Sequence, residues 1–143
     1  MKISTRGRYG VRFMIDLAEH IGDGQVTLAA VAERQHISIR CLEQVAVILR
    51  RAGLIHSTKG ALGGYSLARP AQDVHIGEIL RLLEGDMLVV DPLRPGESET
   101  RMARCLRRVL YERMNEAVAE VIDNKTLASL AGTVEDAAYM YFI

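Results

Sequence analysis

The chain has 143 residues, and its 18 Lys+Arg against 18 Asp+Glu give a formal net charge of zero. One or two small domains fit this length, and a compact fold buries roughly two thirds of the unfolded surface without a disulfide staple. The two cysteines, Cys41 and Cys105, lie far apart and form no CxxC pair, which argues against a secreted disulfide framework and against a complete zinc site.

The basic N-terminus, residues 1–8, precedes no uninterrupted apolar segment, and no stretch approaches the about 20 apolar residues of a membrane helix. The expectation is a reduced, cytoplasmic protein, neither exported nor membrane-spanning. Tyr9, Phe13, Leu17 and Ile21, with Met14 and Ala18, recur at helical spacing and predict a first amphipathic helix, ended by Gly22-Asp23-Gly24. Thr27 can cap a second helix with apolar positions Leu28, Val31 and Ala32. A turn over residues 34–37 then delivers Ser38 as the cap of a third helix, 38–51. On that helix Leu42, Val45, Ala46 and Leu49 share one side, and Arg40, Gln44, Val47 and Arg51 lie opposite.

Gly53 stops the third helix, and residues 54–58 and 65–67 read as two short strands around the loop Lys59-Gly60-Ala61-Leu62-Gly63-Gly64. A short helix follows over 76–83. Residues 91–100 hold two of the three prolines and no apolar period, the mark of a loop or linker. Helical periodicity resumes over 101–122 through Met102, Leu106, Val109, Leu110, Ala117, Val118 and Val121, giving a helix of about 33 Å at 1.5 Å per residue. Residues 126–130 predict a last short helix, and the apolar tail 139–143 is expected to dock.

The predicted fold class is mainly α with a small β-wing, an α+β arrangement: a winged helix-turn-helix followed by a long dimerisation helix. It divides into 1–85 as the DNA-binding domain, 86–100 as a linker and 101–143 as the dimerisation helix and C-terminal segment. An apolar stripe that long packs most simply against a copy of itself, and a palindromic DNA site calls for a two-fold protein.

The zero net charge hides a separation. Residues 1–85 carry 11 Lys+Arg against 8 Asp+Glu, whereas 86–143 carry 7 against 10. Lys2, Arg6, Arg8 and Arg12 form one acid-free cluster, and residues 34–69 hold six cations against Glu43 alone. Phosphate contact follows local charge of this kind rather than the chain total. In helix-turn-helix proteins the first residues of the second helix of the motif face base edges. Here these are Ser38, Arg40, Cys41, Glu43 and Gln44. Arg can pair with guanine, Gln with adenine, and Glu can accept from cytosine. Lys59 and Gly60 put a cation and an approachable backbone at the hairpin. The bland alternative is an ordinary polar helix surface.

A phosphate cradle for a nucleotide lacks the GxxxxGK[ST] spacing, and no helix begins after Gly64. His20, His36, His56 and His75 share no metal-ligand spacing, and no catalytic triad or carboxylate pair emerges. No enzyme and no metal site are therefore expected.

Lys2-Ile3-Ser4, Gly7-Arg8-Tyr9, Ile37-Ser38, Leu42-Glu43-Gln44, Ala52-Gly53-Leu54 and the stretch 60–65 together resemble the Rrf2 family of bacterial winged-helix transcriptional regulators. The resemblance is close over residues 1–85 and looser beyond. It implies a homodimer joined by the long helix, acting as a repressor on palindromic double-stranded promoter DNA. The contacting roles fall on Ser38, Arg40, Glu43, Gln44 and Lys59. Position 41, usually aromatic in relatives, is Cys here. Cluster-bearing relatives place three cysteines in the region matching 91–105, where this chain has Cys105 alone, and Arg8 and Arg12 stand where some relatives use acidic or imidazole ligands. No iron–sulfur cluster and no other cofactor is expected, with an unusual or dimer-bridging ligation as the alternative. Control by a regulatory protein partner, or by thiol redox at Cys105 or Cys41, is the alternative input.

Overall fold

In this computed structural model residues 1–141 are described, with side chains to residue 137. The expected docking of the apolar tail 139–143 lies outside the described side chains. The described residues form α1 (Thr5–Glu19), α2 (Leu28–Gln35), α3 (Ile39–Arg51), β1 (Ile55–Thr58), β2 (Gly64–Leu67), α4 (Ile76–Glu84), α5 (Arg101–Leu106), α6 (Glu112–Asp123) and α7 (Leu127–Tyr141). The mainly helical fold with a two-stranded antiparallel wing matches the expected class.

The starts of the helices are set locally. Ser4, Thr27, Ser38 and Thr100 each accept, through the hydroxyl, a backbone N–H three residues on. That satisfies one of the donors a helix N-terminus leaves open, an effect of about 1 kcal/mol each. Phe13, Met14 and Leu17 of α1 pack with Leu42, Val45 and Leu49 of α3 and with Ile79, Leu80 and Leu83 of α4 in one buried cluster. Gly7 and Gly10 let α4 come this close to α1. A Cβ on Gly7 would sit 2.1 Å from Glu84 Oε1, and one on Gly10 would sit 2.2 Å from Leu83 Cδ1. Glu84 fills the space at Gly7 by accepting the N–H of Ser4 at 3.1 Å and the Ser4 hydroxyl.

Between α5 and α6 the chain keeps helical dihedrals through a π turn, Arg107–Tyr111, so the three segments run on as one rod. The expected single helix is therefore continuous, with one extra residue inserted at the π turn. The last helix is longer than expected. Thr126 and Ser129 exchange reciprocal hydrogen bonds at 3.0 and 3.1 Å, and the helix then runs on from Leu127 to Tyr141 past Gly132. Glycine weakens the sequence signal there, by about 1 kcal/mol relative to alanine, without breaking the helix.

The core crosses the expected boundary between 1–85 and 101–143: Ile122 and Leu127 are buried within the same cluster as Phe13 and Val74. A short antiparallel bridge pairs His75 with Thr126, and Arg81 grips the Asp123 carboxylate at 2.6 and 2.9 Å. The loop before α5 is pinned as well, since Asn115 accepts the Val89 N–H at 2.6 Å and donates to the Val90 carbonyl at 3.2 Å. Among the described residues no helix is long and apolar enough to cross a membrane.

Candidate nucleic-acid interface

The helix-turn-helix is held from behind by one buried carboxylate. Asp16, 1 % exposed on α1, accepts hydrogen bonds from Arg34 Nε and Nη2 at 3.0 and 2.7 Å and from Gln35 Nε2 at 3.0 Å. Burial by itself would raise the Asp16 carboxyl. The hydrogen bonds from Arg34 and Gln35 and the charge of Arg34 outweigh it, so the group stays below its ordinary range. Arg12 donates to the Gln35 carbonyl and lies over the Tyr9 ring. His36 then takes a left-handed conformation, φ 53°, and Ile37 is buried as the chain turns into α3.

On α3 the expected division of faces holds. Leu42, Val45, Ala46 and Leu49 are buried, while Arg40, Glu43, Gln44, Val47, Arg50 and Arg51 are exposed. Two residues near Arg40 are less free. Ser38 spends its hydroxyl on the Cys41 N–H at 3.2 Å, and Cys41 is half-buried against the core. Cys41 is thus partly a packing residue, which its place in the sequence did not reveal.

The wing follows directly. β1 and β2 pair in register Ile55↔Leu67 to Thr58↔Gly64, and Lys59, Gly60, Ala61 and Leu62 stand exposed at the tip. Gly60 has φ 107°, a conformation that favours glycine. On its outer edge β2 is tied to the segment that leads into α2. The Val26 N–H donates to the Tyr65 carbonyl at 2.9 Å, and the Tyr65 N–H donates to the Val26 carbonyl at 2.7 Å. Tyr65 also meets Phe13 edge-on, with centroids 6.0 Å apart. The hairpin is therefore carried by the same core that carries α3.

The N-terminal cations separate into two groups. Arg6 donates to the Leu83 carbonyl at 3.0 Å and Arg12 to the Gln35 carbonyl, so both serve the fold. Arg8 is exposed on the first turn of α1 and reaches Thr5 Oγ1 at 3.3 Å, on a different element from α3 and the wing. Sequence reasoning counted all four cations together because backbone partners leave no mark in composition. It also passed over Leu62, 92 % exposed beside Lys59, since an apolar residue in a sequence is ordinarily assigned to a core.

With this geometry in hand, the comparison with known proteins is direct. A family model described as "Rrf2: Iron-dependent Transcriptional regulator" matches residues 3–133. The chain belongs to the Rrf2 family. It is 41 % identical over 145 residues to the HTH-type transcriptional regulator CymR of Bacillus subtilis (strain 168), covering all of both chains. It is 34 % identical over 135 residues to the regulator IscR of Erwinia tasmaniensis, covering 94 % of this chain and 81 % of that one. Among solved structures, CymR of B. subtilis, described as a global cysteine regulator, superposes with a TM-score of 0.80 at 40 % identity, covering 93 % of this chain and 98 % of that one. T. potens IscR gives 0.79 at 39 % identity, covering 99 % and 96 %. As a member of the Rrf2 family, the protein is a winged-helix DNA-binding transcriptional regulator.

The family description names iron, and the donors present here do not fit a cysteine-held cluster. Between 91 and 105 the chain offers one thiol, Cys105, exposed on α5 beside Arg101, Arg104, Arg108 and Arg113. Glu99 is already engaged by Arg107 at 2.6 to 3.2 Å, and the Arg107 hydrogen bond is the main influence holding its carboxyl below the ordinary range. Among the described residues no three His, Cys, Asp or Glu side chains gather as a metal site. Cluster binding draws chiefly on several converging thiolates, which this chain does not supply.

Proposed function

We propose that this Rrf2 regulator works in the cytoplasm as a homodimeric repressor on two-fold promoter DNA, each subunit laying the start of α3 in the major groove and the Lys59 hairpin against the neighbouring backbone. The observation that carries this reading is the pairing of a fixed inner face with a free outer one on α3. Leu42, Val45 and Leu49 are buried, while Arg40, Glu43 and Gln44 stand exposed at the helix N-terminal end. Base readout needs that combination, because a side chain discriminates between edges only if its backbone is held in register. Ser38 supports the reading through the cap. Lys59, Gly60 and the more distant Arg8 supply the contacts to phosphate. Among the described residues, the uncovered apolar face of the α5–α6 rod is the surface available for a second copy.

The input in this reading is thiol chemistry at Cys105 or Cys41, or a partner protein, rather than a cluster; the exposure of Cys105 and of Val47 supports it. Selection of bound sequences from a random duplex pool, followed by footprinting, tests the whole proposal. The expected result is a two-fold symmetric motif with half-sites about one helical turn, 34–36 Å, apart. Recovery of unselected sequence with uniform affinity would overturn it.

A further inference from the structure

The face that α3 turns away from the core is polar except at one residue. At about 100° per residue, Arg40, Gln44, Val47 and Arg51 all fall within about 30° of the direction opposite the centre of the buried set Leu42, Val45, Ala46 and Leu49. All four are exposed, Val47 at 39 %. Ile39 is the other exposed large aliphatic residue of α3, but it lies about 110° away from that direction. Ile48, next to Val47 in the chain, is half-buried against the core. Val47 is thus a lone aliphatic side chain framed by three long polar ones. Helix formation does not account for it, because a β-branched residue is a weaker helix former than alanine. What branching does give is direction: valine in a helix holds one χ1 rotamer about 90 % of the time, so its two methyl groups are presented rigidly and lose little freedom on contact.

The C5 methyl of thymine is the apolar group among the base edges of the major groove, where the other groups that distinguish the bases are hydrogen-bond donors and acceptors. An aliphatic side chain set in a row of hydrogen-bonding ones matches thymine, and it penalises any pair that would leave a polar edge atom unpaired beneath it. We propose that Val47 sets specificity for one thymine in each half-site, packing its Cγ methyl groups on the C5 methyl while Arg40 and Gln44 hydrogen-bond to neighbouring bases. This deepens the groove reading above and rests on it. The place of the thymine follows from the helix. Val47 lies three residues beyond Gln44, about 4.5 Å along the axis at 1.5 Å per residue, against a rise of about 3.4 Å per base pair. The thymine therefore falls within two base pairs of the one that Gln44 reads. A regulatory protein docked on Val47 would exclude DNA from the same face.

The test uses the full chain and the duplex recovered from the random pool, with each thymine near the Gln44-sensitive pair replaced in turn by uracil, which lacks only the methyl group. Replacing the contacted thymine in one half-site is expected to weaken wild-type binding about fourfold, the equivalent of about 0.8 kcal/mol for one methyl-sized group kept from water. Val47→Ala is expected to be indifferent to uracil at that position and to keep the wild-type response to uracil elsewhere. Val47→Ile restores the sensitivity. Because the site is exposed and no charge changes, both variants should keep the wild-type thermal melt and the wild-type salt slope of binding. An equal response to uracil in wild type and Val47→Ala at every position overturns the proposal, as does a selected motif with no thymine on either strand within two base pairs of the Gln44-sensitive pair. In both cases a base preference that still shifts in Gln44→Ala leaves the groove reading standing. If Arg40→Ala and Gln44→Ala also bind every sequence as the wild type does, the groove reading falls with it.

Discussion

Arg34 grips Asp16 across the first two helices with two hydrogen bonds, at 2.7 and 3.0 Å, although the carboxylate is fully enclosed and the guanidinium side chain is 36 % exposed. The pair sits directly behind the turn that launches α3, so a buried charge under that turn sets the orientation of α3.

Asp16→Asn removes the charge and keeps the shape, leaving Arg34 short of its partner. The expected loss is about 1–3 kcal/mol of stability, less than for a fully buried pair because Arg34 remains partly solvated. The pH dependence has a definite sign. The folded carboxyl titrates below its ordinary value, so its contribution is complete above about pH 4 and is lost as pH falls through the folded-state value. Chemical denaturation between pH 7 and pH 2 should therefore show the wild type and Asp16→Asn converging toward the acid end. Parallel curves over that range would refute the role assigned to Asp16.

Gly64→Ala tests the seating of the wing. Gly64 has φ 149°, and a Cβ there would lie 2.6 Å from the Val26 carbonyl oxygen, a backbone atom that cannot swing away. The expected cost is about 1–3 kcal/mol. In addition, the amide protons of Val26 and Tyr65 should lose hydrogen-exchange protection ahead of those in α1. Unchanged exchange at both would show that the bridge does not carry the hairpin.

Lys59 and Gln44 should fail in different ways. Lys59→Ala removes one exposed cation at the wing and is expected to weaken binding to all sequences alike, lowering the salt slope of log K by about 0.9. Gln44→Ala is expected to leave that slope unchanged while relaxing preference at one base position by about 1–3 kcal/mol. Titrations across salt on cognate and random duplexes separate the two. An interchange of these signatures would reassign which element reads bases.

Cys41 is half-buried on α3 with its N–H held by Ser38. In a Cys105→Ser background, alkylation of Cys41 by N-ethylmaleimide should proceed slowly and then abolish DNA binding, the outcome expected of an adduct next to the exposed Arg40, Glu43 and Gln44 proposed to read bases. Cys41→Ser should bind like the wild type and resist the reagent. Full binding by alkylated protein would remove Cys41 from the interface.

Several elements were already legible in the residues themselves. Ser38 and Thr27 announce their helices because a capping hydroxyl acts on a backbone three residues away. The inner stripe of α3 is legible for a similar reason, since burial at 3.6-residue spacing needs only a core somewhere beside it. The hairpin was marked by its glycines. What eluded the sequence were contacts made over long separations: Arg6 and Arg12 read as phosphate binders, yet they cap carbonyls 77 and 23 residues away. The length of α7 was missed for another reason: its signal fades at Gly132, while packing of Leu127 and Leu130 against the core sustains it.

The stretch from Ile37 to Leu67 therefore determined on its own that a polar-edged helix and a basic hairpin would stand side by side, because caps, periodicity and turn residues act locally. Only the tertiary structure decided which cations remain available to a ligand, that Asp16 holds the turn, that the C-terminal segment completes the first core, and that a π turn joins α5 to α6. Each of these depends on groups distant in the chain meeting in a water-poor interior or sharing one face of a helix whose phase a single inserted residue resets.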